Sequence, residues 1–255
     1  MDTAERVSIP LFADLIPDGI SPGTGLLVEY DPHSQWFALA TTVIARWLQA
    51  GKRGYCVAMV RPREVLVKDL GRFGIDVAAK EEAGELRVDD WYSASLTPEH
   101  STPENEVIGD KYQRYGSVKI PDLSLGFSQT LKGRQLLSKW SSEQQLGVLA
   151  IADSFSMLLR FNEEKTFLEW FENRDLPLQR KLKRINVCGF GLGLHSEQFY
   201  KRLENVFDGV IEVRVMERED QIKNLVRVTS LKGQPHDTRW HEIEIKGNGE
   251  AVLTN

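Results

Sequence analysis

Four short apolar runs, most of them leading into a stretch of helical periodicity, constrain the fold of this 255-residue chain more than any other feature. The runs are GLLVE, YCVAMV, LGVLAIAD and INVCGFG, which begin at residues 25, 55, 146 and 185. A strand that is apolar on both faces has to be covered by helices on both sides, as in parallel α/β sheets. The sequence therefore predicts an α/β fold with a mostly parallel sheet flanked by helices.

Helices are predicted between these strands. The first begins near Trp36, has a broad apolar face and ends at Gly51. Others are predicted at 62–73, 163–174 and 195–203, and a further helix opens at Asp122. Two more strands are predicted at 86–89 and 209–215, and the tail alternates in period two, which predicts a closing antiparallel hairpin. We expect one domain over residues 1–255, with a long polar loop at about 93–121.

The composition excludes several classes of protein. The net charge of −5 provides no overall basic field for non-specific binding to nucleic acid or membranes. No apolar run reaches the length of about 18 residues that a membrane-spanning helix needs, and the first residues do not read as a signal peptide. Cys56 and Cys188 both lie in apolar strands, where a buried thiol is the ordinary interpretation. We expect a cytoplasmic protein without contact to a membrane.

The order of four longer segments resembles that of single-domain KaiC-like proteins of the RecA superfamily. These segments are DGISPGTGLLVEY before the first helix, YCVAMVRPREVLVKDLGRFGID after it, VLAIADSFSMLL in the middle and LVRVTSLKGQPHDTRWHEIEI at the end. The resemblance spans nearly the whole chain. It implies a RecA-like sheet, a phosphate loop of the form GxxxxGK[ST] after the first strand, and nucleotide sites that lie between subunits.

The residues at the position of that phosphate loop do not follow its pattern. Laid on the sequence without gaps, the three glycine positions hold Tyr30, His33 and Gln35, the lysine position holds Trp36, and the hydroxyl position holds Phe37. Loss of the lysine removes charge-assisted hydrogen bonds of about 1.5–3 kcal/mol, and side chains at the former glycines obstruct the backbone's approach to phosphate. We therefore predict a degenerate site that the two aromatic side chains fill.

Asp31 and Pro32 also suggest how the chain replaces a bound phosphate. A helix N-terminus attracts anions because its first N–H groups lack partners, and an acidic residue followed by proline is a helix-start signature. We predict that the Asp31 carboxylate caps the start of the first helix, near Ser34, and so takes over part of the role of a bound phosphate. The alternative is that Asp31 is only a cap and that the site lies open beside it.

The other catalytic positions that the resemblance implies are only partly kept. The adjacent carboxylates of the family correspond to Val60 and Arg61, neither of which can act as a general base. Asp153 matches the family's metal-facing carboxylate. Without a hydroxyl at position 37 to share a metal, Asp153 either caps the following turn or accepts a hydrogen bond from Ser154 or Ser156.

The terminal segment keeps part of a pattern that, in the family, reaches a nucleotide on the neighbouring subunit. Ser230 replaces the first basic residue, whereas Lys232, Gly233, His236 and Asp237 match. Lys232 and His236 are therefore candidate residues for contact between subunits. The retained residues can equally form the turn of the hairpin.

Two further stretches raise the possibility of a macromolecular partner. Four cations lie just before a strand, and they form either a solvated helix end or a contact for RNA or the ribosome. They are Arg180, Lys181, Lys183 and Arg184. The second stretch, FLEWF, has apolar residues at four of five consecutive positions from 167 to 171, so we expect at least one of them to be exposed at an interface.

Together these observations favour a protein that has lost ATP hydrolysis and ATP binding and that acts as a regulator or scaffold. We expect it to bind itself, an active KaiC-like relative or another protein, and to need no cofactor or metal. One alternative is unconventional nucleotide binding through Asp153, Lys232 and His236. A second is a role as an RNA- or ribosome-associated factor acting through the cations at 180–184.

Overall fold

A nine-stranded sheet organises the residues that the computed structural model describes, which are 6–90, 92, 147–160, 162–218 and 220–254. The predicted polar loop at 93–121 and the predicted helix opening at Asp122 lie outside these residues. In the described part of the chain the architecture agrees with the α/β expectation: a mostly parallel sheet with flanking helices and an antiparallel C-terminal region.

The strand order in the sheet is β3-β2-β4-β5-β1-β6-β7-β8-β9. The first six strands pair in parallel along the order β3 to β6. Their bounds are Gly25–Tyr30 for β1, Gly54–Ala58 for β2, Leu86–Asp90 for β3, Leu149–Ala152 for β4, Ile185–Gly191 for β5 and Gly209–Arg218 for β6. Strands β1, β4 and β5 are buried along their whole length, which agrees with their continuous apolar sequences.

The last four strands form an antiparallel meander. Strand β6 pairs with β7 (Gln221–Leu231), which pairs with β8 (His241–Ile245), which pairs with β9 (Ala251–Thr254). The predicted closing hairpin is therefore present as β7 and β8. The sequence analysis missed the longest antiparallel pairing, between β6 and β7, and the terminal pairing between β8 and β9.

Six α-helices occupy the two faces of the sheet in the described residues. They are α1 (Trp36–Gln49), α2 (Arg63–Gly71), α3 (Val77–Glu82), α4 (Glu164–Trp170), α5 (Leu176–Lys181) and α6 (Glu197–Val206). Helix α3, which the sequence analysis missed, is capped by Asp76, whose carboxylate accepts from the Ala79 N–H at 3.1 Å. Helix α6 begins after Ser196, whose hydroxyl accepts from the Phe199 N–H at 3.2 Å, and so starts later than predicted.

The predicted helix at 163–174 is longer in the structure. A π-helical turn over Phe171–Asp175 joins α4 to α5, so helical backbone continues to Lys181. Pro177 does not end it, because it lies in the first turn of α5, where a missing N–H costs little.

The expectation that an apolar residue of FLEWF is exposed is wrong. Phe167, Leu168, Trp170 and Phe171 are all at most 4% exposed. The rings of Phe167 and Phe171 stack with centroids 5.5 Å apart and pack against further aromatic rings from the sheet and from α6. A helix that is apolar on most sides is buried on most sides. The apolar positions of α4 therefore reflect its burial within the fold and do not form a surface for a partner.

Candidate functional site

The residues at the position of the phosphate loop lie at one edge of the sheet. Because β1, β2, β4 and β5 run in parallel, their carboxyl ends meet there. Tyr30 ends β1, Val60 and Asp153 follow β2 and β4, and Gly191 ends β5. Open parallel sheets hold their ligands at this edge. The structure thus brings together the residues of the first loop, the end of β2 and the end of β4, as the sequence analysis expected.

Trp36 closes the space between the first helix and the middle of the sheet. Its side chain is 0% exposed, and its indole Nε1–H donates to the main-chain oxygen of Asp153 at 2.8 Å. The ring also stacks on Tyr30, with centroids 6.0 Å apart. Gly189 makes this approach possible, because a Cβ there would lie 2.4 Å from the Asp153 oxygen and 2.8 Å from the Trp36 Nε1. The indole therefore fills the position at which the family pattern has a lysine.

The prediction that Asp31 caps the first helix is wrong. Helix α1 begins at Trp36 after Gln35 and has no side-chain cap from within its own loop. The Asp31 Oδ2 instead accepts from the Val215 N–H at 2.8 Å, and its Oδ1 lies 3.7 Å from the Arg214 Nη1. The physical reason is that β6 extends past the end of β1, so the backbone and carboxylate of Asp31 continue the pairing of these strands.

A residue from another part of the chain bonds the start of the helix. The side-chain Oδ1 of Asn224, in β7, accepts from the Gln35 N–H at 3.0 Å. Gln35 holds the position of the last glycine of the family pattern, whose N–H groups close on phosphate. One of the N–H groups that an anion would need is therefore already hydrogen-bonded to Asn224. The sequence contains no local signal for this contact, because the two residues are 189 positions apart.

Asp153 is held by the end of the neighbouring strand. Its Oδ1 accepts from the Met59 N–H at 2.8 Å and its Oδ2 lies 3.4 Å from the Val60 N. Burial raises the pKa of this carboxyl to about 6, although these N–H groups and that of Ser154 favour the charged form. The predicted acceptance from Ser154 is present through its main chain. The Ser156 hydroxyl instead contacts the neighbouring strand β5, where it accepts from the Gly191 N–H at 3.0 Å.

Arg61 is tied to the helices behind the loop. Its Nη1 lies 3.0 Å from the Asp69 Oδ2 in α2, and its guanidinium carbon lies 5.0 Å from the centre of the Phe37 ring. Its Nη2 also reaches the Thr41 hydroxyl at 3.5 Å. The guanidinium therefore braces α1 against α2 in addition to covering one face of Phe37.

A cavity of about 390 Å³ remains open on the outer side of this loop, and we call it the edge cavity. Its lining includes Tyr30, Phe37, Ser154, Met157, Leu194 and His195. Phe37 is half-buried and forms part of the wall, so the two aromatic residues of the loop do not behave alike. His33 is exposed, whereas the Ser34 hydroxyl is buried and has no hydrogen-bond partner within the described residues.

Glu29 is a buried acid that the sequence analysis passed over. It is 4% exposed, its Oε2 lies 3.8 Å from the Arg214 Nη2, and its Oε1 has no hydrogen-bond partner in the described part of the chain. Burial, with help from Glu204 and Glu212, raises its pKa to about 7. The available signal was a charged residue at the end of the otherwise apolar run GLLVE.

The candidate residues of the terminal segment do not join this site within one chain. Strand β7 runs antiparallel to β6, so Lys232 and His236 follow its end at the opposite edge of the sheet. The Lys232 Nζ donates to the main-chain oxygen of Asn205 at 2.6 Å, and the His236 Nδ1 lies 3.0 Å from the main-chain oxygen of Gln234. Lys232 therefore bonds the end of α6, whereas His236 makes a local contact in the turn that follows β7.

The predicted cluster of four cations contains only three surface residues. Arg184 is 2% exposed, and its guanidinium carbon lies 5.8 Å from the centre of the Tyr55 ring. It leaves the surface because it comes immediately before Ile185, the first residue of the buried strand β5. Arg180 pairs with Asp208 at 3.0 Å, while Lys181 and Lys183 are exposed. The surface that the alternative of RNA or ribosome contact would use therefore has three cations and not four.

Within the described residues, no group of three or more His, Cys, Asp or Glu side chains is arranged to hold a metal ion. Nor does any helix of the described part have the length and apolar character needed to cross a membrane.

Comparison with solved structures finds a match over the whole chain. The KaiC-like protein PH0186 from the hyperthermophilic archaeon Pyrococcus horikoshii OT3 superimposes with a TM-score of 0.66, covering 99% of this chain and 100% of that one. The fold is KaiC-like. Sequence identity to that protein is 16%, so the likeness concerns the fold. No protein-family profile matches the chain, and no curated protein does so either.

Proposed function

We propose that this KaiC-like chain is a pseudo-ATPase, which neither hydrolyses nor binds ATP, and that it acts as a regulatory or scaffolding protein. Its partner is a second copy of itself or an active KaiC-like relative. The observation that carries the first half of the proposal is the buried indole of Trp36 at the lysine position of the phosphate loop.

The hydrogen bonds around Trp36 support the loss of phosphate binding. A phosphate loop needs free main-chain N–H groups and a cation. Here the Gln35 N–H already bonds Asn224, and the Ser34 N–H bonds the main-chain oxygen of Asp31 at 2.9 Å. Binding a phosphate would have to break these contacts and also displace a fully buried indole. Each broken contact leaves a buried polar group without a partner, at a cost of about 1–3 kcal/mol.

The charges near the loop also disfavour a triphosphate with its metal. Arg61, the nearest candidate cation at the end of β2, is paired with Asp69. The Asp153 carboxylate, which the resemblance assigns to metal binding, accepts from the N–H groups of Met59 and Val60 and has a raised pKa. Its oxygens are therefore already used by the fold.

The first experiment measures the thermal unfolding midpoint with and without millimolar Mg–ATP. A ligand at 100 times its dissociation constant stabilises a fold by about 2.7 kcal/mol, which is readily detected as a raised midpoint. We expect no shift beyond that produced by Mg²⁺ with inorganic tripolyphosphate, which controls for ionic effects. A specific rise with Mg–ATP, or phosphate release above a no-protein blank, would contradict the proposal.

The second experiment tests self-association. Ile222 is 76% exposed next to the tip of the β6–β7 hairpin, which makes it an apolar side chain suited to a protein contact. Sedimentation velocity over a range of protein concentrations is expected to show an associating species whose amount does not depend on ATP. Ile222→Ser should weaken it, whereas Ile245→Ser, at an isoleucine that is 40% exposed on β8, serves as the matched control.

An active KaiC-like protein added to the same experiment tests the second partner. A sole species at the monomer mass, unchanged by that protein, would contradict both partner assignments. Association that appears only with ATP would instead support the alternative of an unconventional nucleotide switch.

A further inference from the structure

The edge cavity has the size and position of a small-molecule site. Its volume of about 390 Å³ falls in the range of about 300–1,000 Å³ that is typical of ligand pockets. It lies at the carboxyl ends of β1, β4 and β5, the edge at which open α/β sheets hold their ligands. Proteins with this architecture therefore have a natural pocket at this place even where the phosphate loop is filled.

The walls of the edge cavity are mostly apolar, with the serines 154 and 156 as polar exceptions, and they carry no Asp, Glu, Lys or Arg side chain among the described residues. Tyr30 and Phe37 supply aromatic rings whose centroids are 5.7 Å apart, and Met157 and Leu194 supply aliphatic surface. This lining has no charge to compensate that of a phosphate or a metal ion. Burial of an unpaired charge is strongly unfavourable, so the cavity disfavours both.

One polar atom of a lining residue has no hydrogen-bond partner among the described residues. It is the Nε2 of His195, which is closed off from solvent, so a ligand atom reaches it only after a small movement of the ring or its neighbours. The ring packs against Phe199, with centroids 5.1 Å apart, and burial lowers the pKa of its imidazole, although Glu164 acts in the opposite direction. A neutral imidazole nitrogen either donates or accepts one hydrogen bond, depending on the tautomer.

We infer that the edge cavity binds an uncharged heteroaromatic small molecule, whose ring packs on Tyr30 and Phe37 and whose heteroatom bonds the His195 Nε2. The walls supply the flat apolar contacts, and the unpartnered nitrogen supplies one directional contact that orients the ligand. The cavity shares Tyr30 and Phe37 with the phosphate-loop position, but its lining does not include Trp36, so the inference does not depend on whether ATP binding is lost.

The mouth of the cavity is able to adjust to a ligand. Leu194 is 59% exposed although its side chain is large and apolar. A Cβ at Gly191 would lie 2.8 Å from the Leu194 Cδ1, so the leucine folds back over the glycine at the cavity rim. Met157, with three rotatable bonds, reshapes its surface at little cost. Covering the exposed leucine with a ligand ring would add favourable apolar burial.

The experiment titrates the full-length protein with three bicyclic probes by ligand-observed NMR and calorimetry. Indole has a hydrogen-bond donor, quinoline has an acceptor, and naphthalene has neither. We expect dissociation constants in the millimolar range or below. Either indole or quinoline should bind about fivefold more tightly than naphthalene, because one additional hydrogen bond changes the affinity by about that factor. The preferred probe also reports the tautomer of His195. Quinoline-3-carboxylate should bind about tenfold more weakly than quinoline, because its charge has no partner in the cavity.

Two substitutions locate the binding. Val60→Trp fills the cavity and should reduce binding of every probe by at least about tenfold, whereas Val65→Trp, at an exposed position of α2, should leave it unchanged. Met157→Trp is a second filling variant, used if Val60→Trp lowers the unfolding midpoint. His195→Phe keeps a ring but removes the nitrogen, so it should abolish the preference over naphthalene, while His33→Phe, at an exposed histidine, should not.

Three results would overturn the inference. They are the absence of binding of all three probes to the wild-type protein at millimolar concentration, undiminished binding in both filling variants, and an unchanged preference in His195→Phe. None of these bears on the pseudo-ATPase proposal, which is decided by Mg–ATP.

Discussion

Two neighbouring regions at the carboxyl edge of the sheet differ in whether their buried polar groups have hydrogen-bond partners. In the sealed region, formed by Trp36, Asn224 and Asp153, the indole N–H, the side-chain amide oxygen and the carboxylate all bond main-chain groups. In the edge cavity, the His195 Nε2 has no partner among the described residues, and the apolar walls enclose open space. This difference is the basis of both proposals, the loss of phosphate binding at Trp36 and the binding of a small molecule in the edge cavity.

The largest expected effect distinguishes the two aromatic residues of the loop. Trp36→Ala removes a fully buried ring and should lower the free energy of unfolding by about 3–5 kcal/mol. Phe37→Ala should cost clearly less, because Phe37 is half-buried and its ring already borders a cavity. Chemical denaturation of both variants measures the difference.

Trp36→Phe tests the hydrogen bond apart from the volume, and it remains measurable if Trp36→Ala does not fold. It keeps a ring but leaves the buried Asp153 oxygen without the indole donor, at an expected cost of about 1–3 kcal/mol. Equal losses for Trp36→Ala and Phe37→Ala would refute the division into a sealed and an open region.

The next effect is a pair of opposite pH dependences. Burial raises the pKa of Asp153 to about 6, above its ordinary value of 3.8, so its contribution to stability is complete below pH 4 and is lost as the pH rises through about 6. The shift corresponds to at most about 3 kcal/mol. The pKa of His195 is lowered by burial, so its contribution is present above its ordinary value of 6.5 and is lost as the pH falls through the folded-state value.

Denaturation curves between pH 4 and pH 8 test this pair. Asp153→Asn should remove a component of stability that declines as the pH rises, and His195→Gln should remove one that declines as the pH falls. Glu244→Gln, on the exposed side of β8, controls for a change of net charge. If both substitutions altered the pH dependence in the same direction, the two regions would not differ electrostatically in the way described.

A smaller effect concerns the bond between β7 and the first helix. Asn224→Ala removes the acceptor from the Gln35 N–H and should cost about 1 kcal/mol, as the loss of a helix cap does. Asn248→Ala is the matched control, because the Asn248 Oδ1 accepts from the Glu250 N–H at 3.1 Å in an exposed turn. The difference in unfolding midpoint between the two variants measures how much the bond from the Gln35 N–H to Asn224 stabilises the start of α1.

The sequence predicted the parallel part of the fold because its strands are short continuous apolar runs that turn residues bound and that alternate with segments of helical period. The resemblance also grouped the residues at 30–37 with Val60 and Asp153, and the structure places them at one edge of the sheet, where parallel strands bring their carboxyl ends together. The sequence could not predict Asn224 as a helix partner or Val215 as the partner of Asp31. Both contacts depend on how far β6 and β7 extend past β1, which is a matter of register between distant segments.

The errors on FLEWF and Arg184 have a common cause. Local pattern rules assume that a helix has one buried face and that a cation stays in water. The packing around the π-helical turn and the start of the buried strand β5, immediately after Arg184, place these residues in the interior instead. Burial of this kind is decided by the surrounding elements, which the local sequence does not specify.

The smallest expected effect compares two buried hydroxyl groups at the same edge. The Ser34 hydroxyl has no partner in the described residues, whereas the Ser156 hydroxyl accepts from the Gly191 N–H. Ser34→Ala should therefore change the free energy of unfolding by less than about 0.5 kcal/mol, and Ser156→Ala should lower it by about 1–3 kcal/mol, because it leaves a buried N–H without its acceptor. Denaturant titration of both variants measures these values. A loss in Ser34→Ala as large as that in Ser156→Ala would mean that Ser34 has a bonding role in the loop, and that the sealed region extends further toward solvent than Trp36.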